Sequence, residues 1–268
     1  MKNKFNISPV LKIFFIFLIN FNQLLADDVL IDAIEVDIKE KGNLIKAVGD
    51  VNITDHDNIL INGNEAIYNK LTKIIEINGN VNFIDKSRNY KGKSDNVIFD
   101  RKNNIISTSK NTLINLLDNN NENTIFQLTG SYSSFNQKNK NLVVKENVIL
   151  SDLLNNYKIY SNNIVYSNSE GIIKSLGDTK IDYNNEFNIN TKDILFNKKN
   201  KKFYSDKKTF ITDKLGNKFE LSSFDFDLES KILKSKNIEF IDEQNNSLKL
   251  INAYVDLKSN EIIGSDFN

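Results

Sequence analysis

The feature that most constrains this chain is an internal repeat of about 31 residues that covers most of its length. An aromatic side chain marks each repeat, and successive marks are 31, 36, 31, 30 and 30 residues apart, at Tyr68, Phe99, Phe135, Tyr166, Phe196 and Phe226. A polar turn follows each aromatic, and a run of alternating apolar and polar residues follows the turn. Self-similarity at such a period indicates a stack of similar units that bury their apolar faces against one another.

The alternation within each repeat predicts β-strands. At 7, 13 and 15 residues after the aromatic, repeats two to six have an apolar residue or Thr, as in Ile75, Val81 and Phe83. The three offsets are odd, so these side chains lie on one face of a strand, whereas Glu76 and Asn82 lie on the other face. The sequence therefore predicts an all-β fold of about seven to eight antiparallel repeats, either a β-solenoid or a β-sandwich.

Composition favours the same architecture. The chain contains 45 Asn and 36 Ile but only 5 Ala. Ala is the best helix former, whereas Ile favours strands and Asn tolerates the left-handed backbone of turns. An AT-rich genome accounts for much of the excess of Asn and Ile, but it does not account for their periodic placement.

Several chemistries are excluded by what the chain lacks. With no Cys and one His, it has no disulfide, no thiolate metal site and no two-His zinc site. The 35 basic and 35 acidic residues leave no basic surplus for nucleic acid. His56, between Asp55 and Asp57, is interpreted as part of a solvated turn, and the polar insertion at 118–123 as a loop without a calcium ligand order. We predict no catalytic residue, no metal, no cofactor and no enzymatic activity.

Residues 1–26 have the order of a secretory signal peptide. Lys2, Lys4 and Lys12 precede an apolar run that ends before Ala26, the predicted cleavage residue. The run is interrupted by polar residues and is shorter than the roughly 20 residues that a membrane-spanning helix needs. No Cys follows it, which excludes a bacterial lipoprotein. We expect residues 1–26 to be removed and residues 27–268 to form one exported repeat domain.

The inward positions predict a long apolar slot between the strands. If the strands close over it, the slot is only a core; if they stay apart, it becomes a groove that holds alkyl chains. The residues alone leave both interpretations open. The candidate groove residues share the inward strand positions and are Ile53, Ile75, Ile77, Val81, Phe83, Ile106, Ile114, Leu142, Val148, Leu150, Ile173, Ile181, Phe203 and Ile211.

The repeat resembles that of the OstA-like (LptA/LptC/LptD) family of lipopolysaccharide-transport proteins. The resemblance rests on the phrases at 48–53 and 77–83, where Gly-Asp or Gly-Asn is followed by an alternating strand, and on the aromatic pairs Tyr68-Asn69 and Phe99-Asp100. It covers residues from about 31 to the C-terminus. Several repeats depart from the pattern, since the region of the glycine holds Lys110, Glu146, Asp206 or Lys207, and Lys236.

The resemblance implies a repetitive antiparallel twisted β-jellyroll that binds the acyl chains of lipid A. It implies a non-enzymatic role in passing lipopolysaccharide across the periplasm to the outer membrane. The implied partners are lipopolysaccharide and other OstA-like jellyroll domains, which would join by edge-strand augmentation. The alternative is an exported structural or adhesive β-solenoid with a sealed core.

Within the family, the chain is most similar to the periplasmic N-terminal region of LptD. The last repeat stops in mid-phrase at 266–268, so we expect a domain truncated at its C-terminal end. That similarity adds an outer-membrane β-barrel and its lipoprotein partner to the implied partners.

Overall fold

A computed structural model describes residues 29–55, 59–118, 123–259 and 261–267. The predicted signal peptide, His56 and most of the polar insertion lie outside these described residues. The described residues form 21 strands and one short 3-10 helix at Glu40–Gly42. The strands are β1 Val29–Asp32, β2 Glu35–Lys39, β3 Leu44–Asp55, β4 Ile59–Asn69, β5 Ile74–Asp85, β6 Tyr90–Asp100, β7 Ile105–Leu117, β8 Thr124–Asn136, β9 Asn141–Asp152, β10 Tyr157–Ser167, β11 Ile172–Ser175, β12 Asp178–Tyr183, β13 Phe187–Lys192, β14 Leu195–Asn197, β15 Lys202–Ser205, β16 Thr209–Asp213, β17 Lys218–Leu221, β18 Phe224–Asp227, β19 Ile232–Ile241, β20 Ser247–Asp256 and β21 Glu261–Phe267.

The strands form one continuous antiparallel sheet. A long strand such as β5 crosses the whole sheet in one pass and pairs with the strands before and after it, β4 and β6. Five passes are interrupted near the middle and consist of two short strands each, namely β1–β2, β11–β12, β13–β14, β15–β16 and β17–β18. Two successive passes with their turns make one repeat of about 31 residues, so the sequence period corresponds to a pair of strands.

Each pass bends near its middle. The pairing of β5 shifts between Asn62 and Glu65 on one side and between Asn78 and Val81 on the other. Similar shifts recur in the neighbouring pairs. Bulges that are aligned from strand to strand fold a sheet along one line, which we call the bend. The bend divides the sheet into half-sheets A and B, whose inner faces enclose the slot.

The turns between passes lie alternately on two rims. Rim A borders half-sheet A and consists of the turns 40–43, 70–73, 101–104, 137–140, 168–171, 198–201, 228–231 and 257–259. Rim B borders half-sheet B and consists, among the described residues, of 86–89, 118, 123, 153–156, 184–186, 214–217 and 242–246. Backbone hydrogen bonds join successive turns along each rim, as from the Gln137 amide to the Asn104 carbonyl (2.9 Å).

The turns are built from Asn and Asp in two roles. At the start of the turn after β9, the Asp152 carboxylate accepts hydrogen bonds from the Leu154 and Asn155 amides, both 2.8 Å. At its end, Asn156 has a φ of 52°, the left-handed region that Asn tolerates better than most residues. The sequence predicted the second role; the first adds a hydrogen bond that replaces the missing ladder partner.

The bend uses the same left-handed backbone. Gly79 and Asn80 have φ of 81° and 52°, and they are the Gly-Asn pair of the repeated phrase. In strands β7 and β9, Lys110 (65°) and Glu146 (64°) occupy the glycine position without a change of geometry. These two departures from the repeat therefore keep the bend, at a steric cost of about 1 kcal/mol each that glycine avoids.

The predicted all-β, antiparallel, repetitive architecture is confirmed by this sheet. Residues 90–94 are the start of the full-length strand β6, and the corner of this strand lies further along, in the bend. Among the described residues, no helix is long and apolar enough to cross a membrane.

We expect the substitution Lys110→Gly to raise the free energy of unfolding by roughly 0.5–1 kcal/mol, because it removes the left-handed strain of a residue with a Cβ. Lys93→Gly is the matched control: Lys93 is an exposed residue of β6 outside the left-handed region. Glycine there should lower stability by about 0.5–1 kcal/mol. Urea unfolding measures both, and equal losses would show that Lys110 is not strained.

Candidate functional site

The slot between the half-sheets is the candidate site, and it holds every predicted groove residue. All of them are at most 5% exposed and belong to one continuous apolar cluster, namely Ile53, Ile75, Ile77, Val81, Phe83, Ile106, Ile114, Leu142, Val148, Leu150, Ile173, Ile181, Phe203 and Ile211. Their inward direction agrees with the strand alternation in the sequence.

Sequence reasoning missed the other half of the lining. The missed residues lie on the return passes, which run from rim B to rim A, and include Ile59, Ile61, Tyr68, Tyr90, Phe99, Phe126, Phe135, Tyr157 and Tyr166. In the outward passes, which run from rim A to rim B, the alternation of inward and outward residues continues in step through the bend, so that Ile77 and Val81, four residues apart, both face inward. In the return passes the alternation shifts by one residue at the bend, so that the inward residue Ile61 is followed by Ala66, five residues later. The recurring aromatic residues were the feature of the sequence that could have identified this second set of inward positions.

A row of hydroxyl groups lines the slot beside the bend. Thr108 Oγ1 lies 2.7 Å from Thr112 Oγ1 and 2.8 Å from Ser133 Oγ, and all three side chains are buried. Similar pairs recur further along, at Ser175 with Thr179 (2.7 Å) and Thr191 with Thr209 (2.8 Å). The hydroxyls satisfy one another, which makes their burial tolerable next to the apolar lining.

Opposite the bend, the two rims meet along a seam. Arg101 of rim A lies 3.6 Å from the Asp55 carboxylate at the rim B end of β3, and its guanidinium donates to Tyr68 Oη (2.8 Å). The Asn168 side chain donates to the Arg88 carbonyl of rim B (3.3 Å). Among the described residues, no backbone–backbone hydrogen bond joins the rims. The seam is therefore closed by contacts of side chains, without a backbone ladder between the rims.

Aromatic rings fill the space beneath the seam. Tyr90 of half-sheet B meets Phe135 of half-sheet A with ring centroids 4.6 Å apart. Tyr157 likewise meets Phe203 at 5.0 Å in an edge-to-face arrangement. Burial raises the pKa of both tyrosines well above the ordinary value, and the nearby carboxylates Asp85 and Asp152 raise it further.

Two seam residues of rim A are poorly accommodated in the closed state. The Gln137 side chain is 4% exposed, and neither its amide nitrogen nor its oxygen forms a hydrogen bond. Lys198 Nζ lies 5.2 Å from the Phe126 ring centroid and 3.2 Å from Tyr166 Oη. Burial lowers the pKa of Lys198, while the Asp152 charge opposes the shift, and burial raises the pKa of Tyr166 to about 12.

The closed slot has little empty space. One interior cavity, of ≈ 20 Å³, lies towards the C-terminal end and is lined only by apolar and aromatic side chains. Above it, an outer cavity of ≈ 520 Å³ opens between the rims. Tyr183, Phe187 and Leu257 line both, so we call this part of the seam the mouth. Other hollows, of ≈ 720 and ≈ 520 Å³, lie on the outer faces near the bend.

The described residues contain no group of three or more His, Asp or Glu side chains that could hold a metal ion. The buried carboxylates Asp55 and Asp85 are engaged with Arg101 and Arg88, at 3.6 and 2.6 Å. The slot can bind an apolar ligand if the seam opens. The charged side chains around it form hydrogen bonds and ion pairs within the turns and across the seam.

No protein-family model and no curated protein matches the chain. Several solved structures do. One is LptH from Pseudomonas aeruginosa, the LptA-homologous periplasmic component of the lipopolysaccharide transport device; it is 11% identical over 55% of this chain and 81% of LptH, with a TM-score of 0.24. At that TM-score, the likeness carries no conclusion about this chain.

We expect Gln137→Leu to raise the free energy of unfolding by about 1–3 kcal/mol, because it removes buried polar atoms that lack partners. The control is Gln127→Leu, since the Gln127 amide donates to Asn115 Oδ1 (3.2 Å). That substitution should be neutral or destabilising. Urea unfolding compares the pair, and a loss of stability in the Gln137 variant would mean that its amide has partners in solution.

Proposed function

We propose that this chain is an OstA-like lipopolysaccharide-transport protein, which holds lipid A acyl chains in the slot and passes lipopolysaccharide across the periplasm to the outer membrane. The observation that carries the proposal is the seam: an apolar interior runs the length of the sheet, and along one of its long sides no backbone–backbone hydrogen bond joins the rims among the described residues. The sequence repeat, the predicted signal peptide and the resemblance to the OstA-like family support it.

Opening of the seam would leave the sheet intact. All ladder hydrogen bonds run from pass to pass, so separating the rims about the bend breaks none of them. Each methylene of an acyl chain that enters contributes about 0.8 kcal/mol. Those contacts replace the ones between half-sheets that opening removes.

The seam also carries groups that gain from opening. The Gln137 amide would regain water, which offsets the roughly 1–3 kcal/mol cost of burying unpaired polar atoms. The Lys198 ammonium would likewise recover hydration that it lacks between aromatic rings. The free-energy difference between the closed and open states is therefore smaller than the apolar area buried between the half-sheets suggests.

The N-terminal edge of the sheet supports association with a second jellyroll domain. Strand β2 pairs with β3 along one side. On β2 the inner-face residues Val36 and Ile38 are 49% and 62% exposed. An added strand would cover both and satisfy the free edge. Such end-to-end joining would extend the slot from one domain to the next and give lipid a continuous path.

The proposal includes the domain order predicted from sequence. Residues 1–26 direct export and are removed, and 27–268 form the lipid-carrying repeat domain in the periplasm. The step is binding and transfer, without a catalytic residue or a cofactor.

A sealed structural or adhesive solenoid is the second candidate function. The closed interior favours it, because a cavity of ≈ 20 Å³ is far below the roughly 300–1,000 Å³ of ordinary ligand pockets. The two candidates differ in whether the seam opens in the presence of lipid.

In lipopolysaccharide-producing cells, we expect photo-crosslinking amino acids at Ile75 and Ile173 to capture lipopolysaccharide, because both positions face the slot. Crosslinkers at the adjacent exposed positions Glu76 and Lys174 are the matched controls. Immunoblotting for lipopolysaccharide reads the result. Capture only at the outward positions, or at none, would favour the sealed solenoid.

Joining the rims should block uptake. The chain has no natural Cys, so the pair Leu215→Cys and Lys258→Cys, which face the outer cavity from opposite rims, can be joined by a reducible bismaleimide. We expect joining to abolish binding of lipid A and reduction to restore it to the level of the same double variant before joining. The control pair Asn184→Cys and Leu215→Cys lies within rim B and should bind lipid in both states. Unchanged binding by the joined rims would contradict entry through the seam.

A further inference from the structure

The two rims differ in charge. In the turns of rim A, Lys or Arg far outnumber Glu: the basic residues are Lys41, Lys70, Lys73, Arg101, Lys102, Lys138, Lys140, Lys198, Lys199, Lys201, Lys231 and Lys258, and the acidic ones are Glu40, Glu170 and Glu229. The described turns of rim B contain three basic residues against Asp118, Glu186, Asp242 and Glu243. Because the whole chain is neutral, this basic surplus is a property of one rim and not of the composition.

At the mouth, the basic rim lies directly beside the apolar interior. Lys231 and Lys258 line the outer cavity from rim A. Phe187 and Leu257, which line both cavities, are only partly buried. Lys231 Nζ lies 5.0 Å from the Tyr183 ring centroid and donates to Tyr183 Oη. Within the described ranges, neither Lys231 nor Lys258 forms an ion pair with a carboxylate.

Rim B offers no comparable pair at this place. Its lysine at the mouth, Lys214, is bound to the Glu186 carboxylate at 3.3 Å. Asp213, at the rim B end of β16, also lines the outer cavity, so the rim B side of the mouth is net negative. An anion between the rims would therefore be drawn to rim A. A polyanion lying across both rims would meet the acidic turns of rim B, and it would not use the apolar cavity beneath.

We propose that the mouth is the head-group site for a phosphorylated lipid, with a phosphate held by Lys231 and Lys258 and an acyl chain entering between Phe187 and Leu257. The inference rests on the proposed function, because the chain then lies in the same slot. It adds an orientation: at the mouth, the anionic groups of the lipid lie on the rim A side. Lys ammonium groups suit this task as mobile point charges that bind phosphate without a fixed geometry.

The test uses the full chain and two probes, diphosphoryl lipid A and a diacylglycerol with acyl chains of the same length. The mouth variant carries Lys231→Gln and Lys258→Gln. Gln can still donate to Tyr183, so closure beside Tyr183 should survive. The control variant carries Lys138→Gln and Lys199→Gln, two exposed lysines of rim A away from the mouth, and therefore has the same net charge.

We expect the mouth variant to weaken lipid A binding about tenfold, the control variant by less than about twofold, and neither to change diacylglycerol binding. Equal weakening by both variants would overturn the site, because the effect would then be that of overall charge. Inorganic phosphate binding as tightly as lipid A would overturn the lipid assignment. If the chain binds diacylglycerol as tightly as lipid A, the head-group site is contradicted, whereas lipid binding in the slot is supported. If neither lipid binds, the proposed function fails as well.

Discussion

The backbone hydrogen bonds of this protein run in one direction, along the array of passes. Each pass is bonded to its neighbours on both sides of the bend, and the turns continue the same ladder along the rims. Across the slot, in the part of the chain that the structure describes, the half-sheets meet through contacts of side chains and share no backbone ladder. The sheet is therefore held together by backbone hydrogen bonds along the array of passes, whereas the two half-sheets are held together by the weaker contacts of side chains. Closure of the seam, access to the slot and the role of the rim residues all depend on this difference.

Closure is not uniform along the seam. Near its N-terminal part, Arg101 of rim A engages the buried carboxylate of Asp55 at the rim B end of β3, across the seam. Removing one partner of such a buried pair typically costs about 3–5 kcal/mol. Further along, the contacts of Lys198 and Lys231 are to tyrosine hydroxyls and ring faces. The interior cavity and the mouth lie on that side, so the seam is weakest towards the C-terminal end.

The sequence predicted the repeat, the all-β fold and the inward set of the outward passes. Ile75, Val81 and Phe83 could be placed because their strand keeps its parity through the bend. Ile61 and Tyr68 could not both be assigned to the inward face from the sequence, because the alternation of inward and outward residues along β4 shifts by one residue at the bend. The seam was beyond sequence reasoning, since Asn168 and Arg88 are 80 positions apart and only the fold brings them together. Whether the slot takes lipid stays a prediction.

The left-handed positions have a consequence for how such a chain can change over time. The bend and the turns require a positive φ about once per strand, and half of the non-glycine residues there are Asn, with Lys next. Asn and Lys have AT-rich codons, and an AT-rich genome would supply them at most positions in any case. Such a supply would place Asn, which tolerates the left-handed backbone, in the turns and the bend, and Ile on the inward face. The architecture therefore withstands a strong mutational bias, and its sequence can diverge far while the repeat persists.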